Sequence, residues 1–373
     1  MKKAVLIPDS FKGTVSSAEI CEIMKACILA RFPGCEVLSI PVADGGEGSV
    51  DAFLTALGGE KAWLEVSNPY FEPMKSFYGL IDGGRTAVVE MASCAGLPLV
   101  EGRRDPNRTT TYGVGELILD AAARRVKKII VGLGGSSTND GGCGAAAAVG
   151  VKFYDAEGKA FVPTGGTLID IARIDLGGRS ELLRGIEIVT MCDIDNPMYG
   201  PTGAAYVFAP QKGADEATVQ SLDAGLRHLG ELIKRDLGRD LTAEPGGGAA
   251  GAMGVGMMAF FDSTLQMGIE TVLDTVDFDR IIADADAIFT GEGKIDSQSL
   301  RGKVVIGVAR RAKRQGKDVI AVVGGSELEM EGAYAEGVKA IFTINRLPQD
   351  LSVSRFQSKE NLAFVMDNIL RMM

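Results

Sequence analysis

Five short stretches of this 373-residue chain mix glycine, hydroxyl, carboxylate and cationic side chains, and each comes after an apolar run. The first offers Asp9, Ser10 and Lys12; the second offers Asp44, Gly45, Gly46 and Glu47. The third spans 132–142 and holds Ser136, Ser137, Thr138, Asn139 and Asp140, and the fourth holds Asp193, Asp195 and Asn196. The fifth carries Glu292, Lys294, Asp296, Ser297 and Gln298. Glycine lets backbone amides approach phosphate oxygens, hydroxyls and lysines donate to them, and carboxylates hold Mg²⁺ directly or through water. That mixture suits phosphoryl transfer, which depends on positioning and charge neutralisation more than on covalent chemistry. Taken singly, an Asp-Gly-Gly is a turn and Glu292 or Asp296 a surface charge. Five such loops in one chain carry the weight.

Other chemistries lack material. His228 is the only histidine, and its surroundings (Leu222, Leu226, Leu229, Ile233) place it on a helix surface, so histidine triads and H-E-x-x-H metal sites are excluded. The first apolar run leads into Asp9-Ser10-Phe11-Lys12-Gly13 rather than a dinucleotide fingerprint, and Gly302-Lys303 is followed by Val304 rather than the hydroxyl of a Walker loop. A net charge of −10 argues against a nucleic-acid partner. No apolar stretch reaches the length of a membrane span and no signal-peptide core is present, so a cytoplasmic protein is expected. The six cysteines form no C-x-x-C pair and read as buried or incidental thiols. Met257, Met258, Phe260 and Phe261 read as packing, and Lys234-Arg235 and Arg310-Arg311 as solvated helix faces.

The elements that must position these loops read as alternating strands and helices. Ala4-Val5-Leu6-Ile7 is a strand, and Ser16-x-x-Glu19 is a capping box before Ile20, Ile23, Met24, Cys27 and Ile28. A strand over 37–42 and a helix carrying Val50, Phe53, Leu54 and Leu57 complete β-α-β-α order, the pattern of a parallel sheet. The C-terminal part repeats it: strand 287–289, a helix from about 302, strand 319–323, a helical stretch near 329–336, strand 340–344 and a helix from about 355. The middle is β-rich over 62–90 and glycine-rich over 132–150 and 246–256. The fold class expected is α/β: a Rossmann-like parallel-sheet domain from both chain ends (1–62 with 284–373) and an inserted α/β domain (63–283), with the active site in the cleft. Ligands of such sheets gather at the carboxyl ends of the strands, where all five loops lie.

The chain resembles the bacterial type 1 glycerate kinases along almost its whole length. The resemblance rests on Pro8-Asp9-Ser10-Phe11-Lys12-Gly13, Ala43-Asp44-Gly45-Gly46-Glu47-Gly48 and Thr109-Thr110-Thr111-Tyr112-Gly113. Further on it rests on Gly134-Gly135-Ser136-Ser137-Thr138-Asn139-Asp140-Gly141-Gly142, Cys192-Asp193 with Asn196-Pro197, Ala209-Pro210-Gln211-Lys212-Gly213, and Gly291-Glu292-Gly293 with Asp296-Ser297-Gln298. It implies Mg²⁺- and ATP-dependent phosphorylation of D-glycerate, giving 2-phosphoglycerate in most of these enzymes, in sugar-acid or glyoxylate breakdown. Ser67-Asn68-Pro69-Tyr70-Phe71 departs from the Gly-Pro-x-Gly turn usual there. On this reading Asp193 orients the substrate hydroxyl and accepts its proton, and Lys12 neutralises the transferred phosphoryl group. Asp44, Glu292 and Asp296 are the magnesium candidates. Ser10, Gly45, Gly46 and Asn196 stand with the binding loops, and residues 136–140 cradle phosphates or hold the acid group. Arg108 or Lys212 pairs with the glycerate carboxylate. The partners expected are D-glycerate and ATP, with no nucleic acid or membrane and with a homo-oligomer left open. A kinase for another hydroxy or sugar acid is the rival, and a non-catalytic acid sensor would have lost the carboxylates.

Overall fold

The computed structural model describes residues 1–11, 13–42, 45–297, 299–327 and 329–373. The chain divides into two compact units, one of residues 1–44, 51–58 and 267–373, the other of 45–50 and 59–266. Both ends of the chain therefore build one unit, and the middle forms an inserted one. The divisions at 58/59 and 266/267 differ from the expected 62/63 and 283/284 for local reasons. Strand Glu60–Ser67 pairs along its length with Pro73–Ile81, which takes residues 60–62 into the inserted unit. Helices Gly268–Thr275 and Phe278–Ile282 belong to the end-built unit because Arg311 binds the carboxylates of Glu270, Asp274 and Asp279. Arg311 and its neighbour Arg310, paired with Glu336, are thus ion-pair nodes and not the solvated face expected.

The end-built unit holds a five-stranded, all-parallel sheet. In space its order is Glu36–Ser39, Lys3–Pro8, Ala287–Gly291, Val319–Val323, Val338–Thr343. Counted along the chain, that is 2-1-3-4-5. Lys3–Pro8 is almost wholly apolar because it is covered on both faces. Its Ala4 and Leu6 pack with Phe289 and Val322 against Ile20, Met24 and Ile28 of helix Ser17–Arg31 and Leu362 and Met366 of helix Ser358–Arg371. Burying each large aliphatic chain stabilises the unit by about 1.5–3 kcal/mol. The first of these helices starts where the capping box placed it: Glu19 N–H donates to Ser16 Oγ at 3.3 Å and Ser16 N–H to Glu19 Oε2 at 3.0 Å.

The inserted unit is built on a six-stranded mixed sheet. Thr264–Gln266, Glu187–Met191, Lys128–Gly132 and Thr86–Glu90 run parallel, and Pro73–Ile81 and Glu60–Ser67 extend the sheet antiparallel. The hairpin turn that departs from the family pattern closes without glycine. Asn68 Oδ1 accepts from Tyr70 N–H at 2.8 Å and Glu72 N–H at 3.0 Å, and Phe71 takes the left-handed conformation at φ 61°. Met257, Met258, Phe260 and Phe261 are core, with Phe260 edge-on to Phe153 at 5.6 Å. His228 lies on helix Glu216–Leu237 but is half-buried, its Nε2 2.7 Å from the Ile171 carbonyl. Among the described residues no helix is long and apolar enough to cross a membrane.

Candidate active site

In a 2-1-3-4-5 sheet the chain leaves strands 1 and 3 toward opposite faces, and the crevice at their carboxyl ends is where ligands bind. Here those strands are Lys3–Pro8 and Ala287–Gly291, so Asp9-Ser10 and Glu292 stand at the crevice. The two ends are tied by Asp9 N–H donating to the Gly291 carbonyl at 2.8 Å, and Ser10 N–H donates to Asp9 Oδ1 at 2.6 Å. Glu292 is only 5% exposed, and its Oε1 has no hydrogen-bond partner among the described residues. Burial lifts its carboxyl to about 7; a hydrogen bond from Ser299 and the Lys303 charge pull it down, while Asp9 and Asp296 push it up. Ser299 also links to Asp296, whose Oδ1 accepts its N–H at 3.2 Å. The switch point therefore collects Asp9, Glu292 and Asp296, with Ser299 linked to the last two. Lys12 and Asp44 lie outside the described residues.

The inserted unit gathers its loops at the carboxyl ends of three adjacent parallel strands, Thr86–Glu90, Lys128–Gly132 and Glu187–Met191. The 45–50 segment docks there. Gly134 N–H donates to the Gly45 carbonyl at 2.9 Å, and Val50 N–H donates to the buried carboxylate of Glu90 at 3.0 Å. Glycine is needed at Gly134, where a Cβ would stand 2.6 Å from Gly46 Cα.

The 136–140 loop divides its polar groups between two tasks. Ser137 Oγ donates to the Ala95 carbonyl, and Asp140 accepts from Thr111 N–H, Thr111 Oγ, Gly142 N–H and Gly144 N–H at 2.8–3.2 Å. Those two residues hold the loop. Burial pushes the Asp140 carboxyl up, against the pull of those bonds. Thr138 Oγ1 and both amide atoms of Asn139 are buried without a partner among the described residues. Each such group costs about 1–3 kcal/mol until something satisfies it. A left-handed turn at Ala250, Gly251 and Ala252 (φ 54°, 68° and 66°) braces the loop: Gly251 accepts from Gly141 N–H at 3.0 Å, and a Cβ on Gly251 would strike the Thr138 carbonyl.

Lys212 enters this loop from the segment after helix Ala204–Phe208. The residue is 1% exposed, and its ammonium donates to Ser136 Oγ at 2.9 Å and the Thr138 carbonyl at 2.6 Å. Burial brings its pKa down to about 7, while the Asp140 charge pushes it up. Arg108 is exposed and stands in the turn before Thr109, whose hydroxyl donates to the Ser137 carbonyl at 2.9 Å. Asp193 and Asn196 come after strand Glu187–Met191; Asp193 is half-buried, and Asn196 Nδ2 donates to the Thr202 carbonyl at 2.8 Å.

Gly45, Gly46, residues 136–140 and Lys212 are thus brought together in the inserted unit, and Ser10, Glu292 and Asp296 in the end-built one. Sequence reasoning missed Glu90, Thr111, Ser299 and the 250–252 turn as supports. A glutamate closing an apolar strand was the available signal for Glu90. Nothing in the letters marks two alanines as left-handed. Among the described residues no three His, Cys, Asp or Glu side chains group as a metal cage.

The sequence pattern of the Glycerate kinase family matches residues 4–373. The chain is 41% identical to a protein named glycerate kinase from Bacillus cereus, over 98% of this chain and 97% of that one. It is 41% identical to the glycerate 2-kinase of Escherichia coli K12, over 92% of this chain and 90% of the relative. A crystallised Salmonella typhimurium LT2 protein with the provisional name glycerate kinase 2 superposes with a TM-score of 0.87 at 40% identity, covering 100% of this chain and 98% of that one. A match over all but the first three residues, with relatives this similar over nearly their full length, shows that the chain belongs to the glycerate kinase family.

Proposed function

We propose that this chain is a cytoplasmic glycerate 2-kinase that moves the γ-phosphoryl group of ATP to the 2-hydroxyl of D-glycerate, giving 2-phosphoglycerate and ADP in sugar-acid or glyoxylate breakdown. The hydroxyl oxygen forms the new bond to phosphorus, the bond to the ADP oxygen breaks, and the hydroxyl proton passes to the Asp193 carboxylate. In a loose transition state that proton leaves late, so Asp193 is needed mainly to orient the hydroxyl. Lys12 neutralises the transferred group, and Ser10 binds substrate or phosphate oxygens. Gly45, Gly46, Asn196 and the 136–140 loop bind phosphate or acid oxygens, and Arg108 pairs with the glycerate carboxylate, whose planar fork suits a guanidinium.

The observation that carries this reading is Glu292, a buried carboxylate at the sheet's topological switch point with one oxygen that no described residue bonds. Magnesium in kinases commonly takes one or two carboxylates and completes its shell with water and phosphate oxygens. Glu292 and Asp296 fit that donor set, with Asp44 as the third candidate. When bound, the ion would supply charge neutralisation for the nucleotide phosphates. Phosphorus NMR of the product made from D-glycerate and ATP tests the proposal. A 2-phosphoglycerate signal is expected. A 3-phosphoglycerate signal would reassign the acceptor hydroxyl, and no phosphoglycerate at all would remove the function.

A further inference from the structure

Ser137 and Ser136 are adjacent and differ in what their hydroxyls can still do. Ser137 Oγ spends its hydrogen on the Ala95 carbonyl at 2.9 Å. Ser136 Oγ instead accepts a hydrogen from the Lys212 ammonium at 2.9 Å, and among the described residues no acceptor takes its own hydrogen. A hydroxyl that receives one hydrogen from a cation still has its own hydrogen to give, along with one remaining lone pair. It is also a stronger donor than a free serine, because hydrogen bonds in a chain polarise one another. Ser136 keeps 8% of its surface exposed whereas Lys212 keeps 1%. The lysine is therefore the more enclosed of the two.

The lysine is an unusual choice for that place if its task were structural. The two groups its ammonium bonds, Ser136 Oγ and the Thr138 carbonyl, are both neutral. The one carboxylate whose charge reaches it is Asp140, already occupied by four donors. Arg104, bonded to the Gln211 carbonyl at 3.2 Å, is the cation on the exposed side of the same segment. A buried ammonium held by neutral acceptors leaves a net positive field, and a loop carrying one favours an anion in front of it.

We propose that Ser136 donates to an anionic oxygen of a bound substrate, a phosphate or carboxylate oxygen, and that Lys212 is the positioning residue that makes it do so. This rests on the kinase reading above and narrows it, since it takes Lys212 off the substrate and gives its charge a route through one hydroxyl. Protonated Lys212 is required, and burial brings its titration close to neutrality. The hold on the anion is therefore fullest well below pH 7, half lost near pH 7 and weaker above it.

Calorimetric titration of the full chain with ATP and, separately, with D-glycerate tests this for the wild type, Ser136→Ala, Lys212→Met and the double variant, between pH 6 and pH 9. One of the two ligands should lose affinity about ten- to a hundredfold in each single variant, as for a hydrogen bond to a charged group. The double variant should lose no more than the worse single one, because both act through the same contact. Loss for ATP assigns a phosphate oxygen, and loss for D-glycerate assigns the carboxylate. Wild-type affinity for that ligand should fall as pH rises past 7, and the fall should vanish in Ser136→Ala as well as in Lys212→Met. If Lys212→Met does not fold, the flat profile of Ser136→Ala carries the test alone. Additive losses, equal loss for both ligands, or a pH dependence that survives Ser136→Ala overturns the proposal. A wild type that makes no ADP with glycerate removes the kinase reading; an active wild type with additive variants removes only this relay.

Discussion

The two units handle charge in opposite ways. In the end-built unit, acids collect at the switch point: Glu292 is buried with one oxygen unbonded among the described residues, and Asp9 and Asp296 stand close enough to raise its pKa. In the inserted unit the isolated buried charge is a cation, Lys212, and the acid beside it, Asp140, is satisfied on both oxygens. A buried carboxylate calls for a cation and a buried ammonium for an anion, so each unit makes its own electrostatic demand. Similar α/β scaffolding thus supports two electrostatic environments, and the loops at the strand ends decide which.

The largest test of this contrast is loss of turnover. Asp193→Asn in the inserted unit should lower kcat by about 10²–10⁴, the usual share of a general base, while circular dichroism and melting stay as in the wild type. Near wild-type kcat would remove Asp193 from the role. Lys12→Ala in the end-built unit should also lower kcat more than it raises the glycerate KM. An effect confined to the glycerate KM would move Lys12 to substrate binding and blur the division of labour between the units.

Stability against pH reads the same contrast with opposite signs. Glu292 has its folded pKa raised from 4.5 to about 7, so its contribution is full below 4.5 and is lost as pH climbs to 7. The loss is about 3 kcal/mol at most, and Glu292→Gln should abolish it when melting is followed without divalent cations. Lys212 has its folded pKa depressed from 10.5 to about 7, so the unfolded chain binds the extra proton between those values and stability rises with pH there. The slope should approach about 1.4 kcal/mol per pH unit and flatten in Lys212→Met. Two arms of the same sign would show that one of the two burials is not what it is in the structure.

Much of this was legible in the letters because it depends on local patterns. The capping box at Ser16, the apolar strands and the glycine-bearing loops each come from residue type and spacing, and chain order gave the insertion. Three things were not legible. The letters offer Lys212, beside Arg108, as a partner for the substrate carboxylate, and they do not show that folding carries its amine to Ser136, 76 positions away in sequence. Arg311 reads as surface until three carboxylates from two helices close on it. The boundary near 266 depends on that same contact, and periodicity carries no information about pairings so distant.

The smallest expected effect concerns strain, which the two units also distribute unequally. Among the described residues the end-built unit has one non-glycine residue at positive φ, Asp277, whereas the inserted unit has Phe71, Asp82, Arg125, Ala250, Ala252 and Asp262. Asparagine and aspartate visit that region readily, but an alanine there costs about 1–2 kcal/mol relative to an unstrained backbone. Ala250 is half-buried with φ 54°, so replacing it by glycine removes the strain with little loss of packing. Glycine's greater freedom in the unfolded chain returns about 0.5–1 kcal/mol. The net expectation for Ala250→Gly is a gain of roughly 0.5–1 kcal/mol, a rise of a few degrees or less in Tm for a chain of this size. Gly251→Ala, one position on, should do the reverse and by more, because its methyl would meet the Thr138 carbonyl and the Asn139 backbone. If both substitutions destabilise, the turn is held by packing that the φ values do not express. If Ala250→Gly stabilises and also weakens ligand binding, the strain is part of how Thr138 and Asn139 are kept in place, and the inserted unit is the one that trades stability for its site.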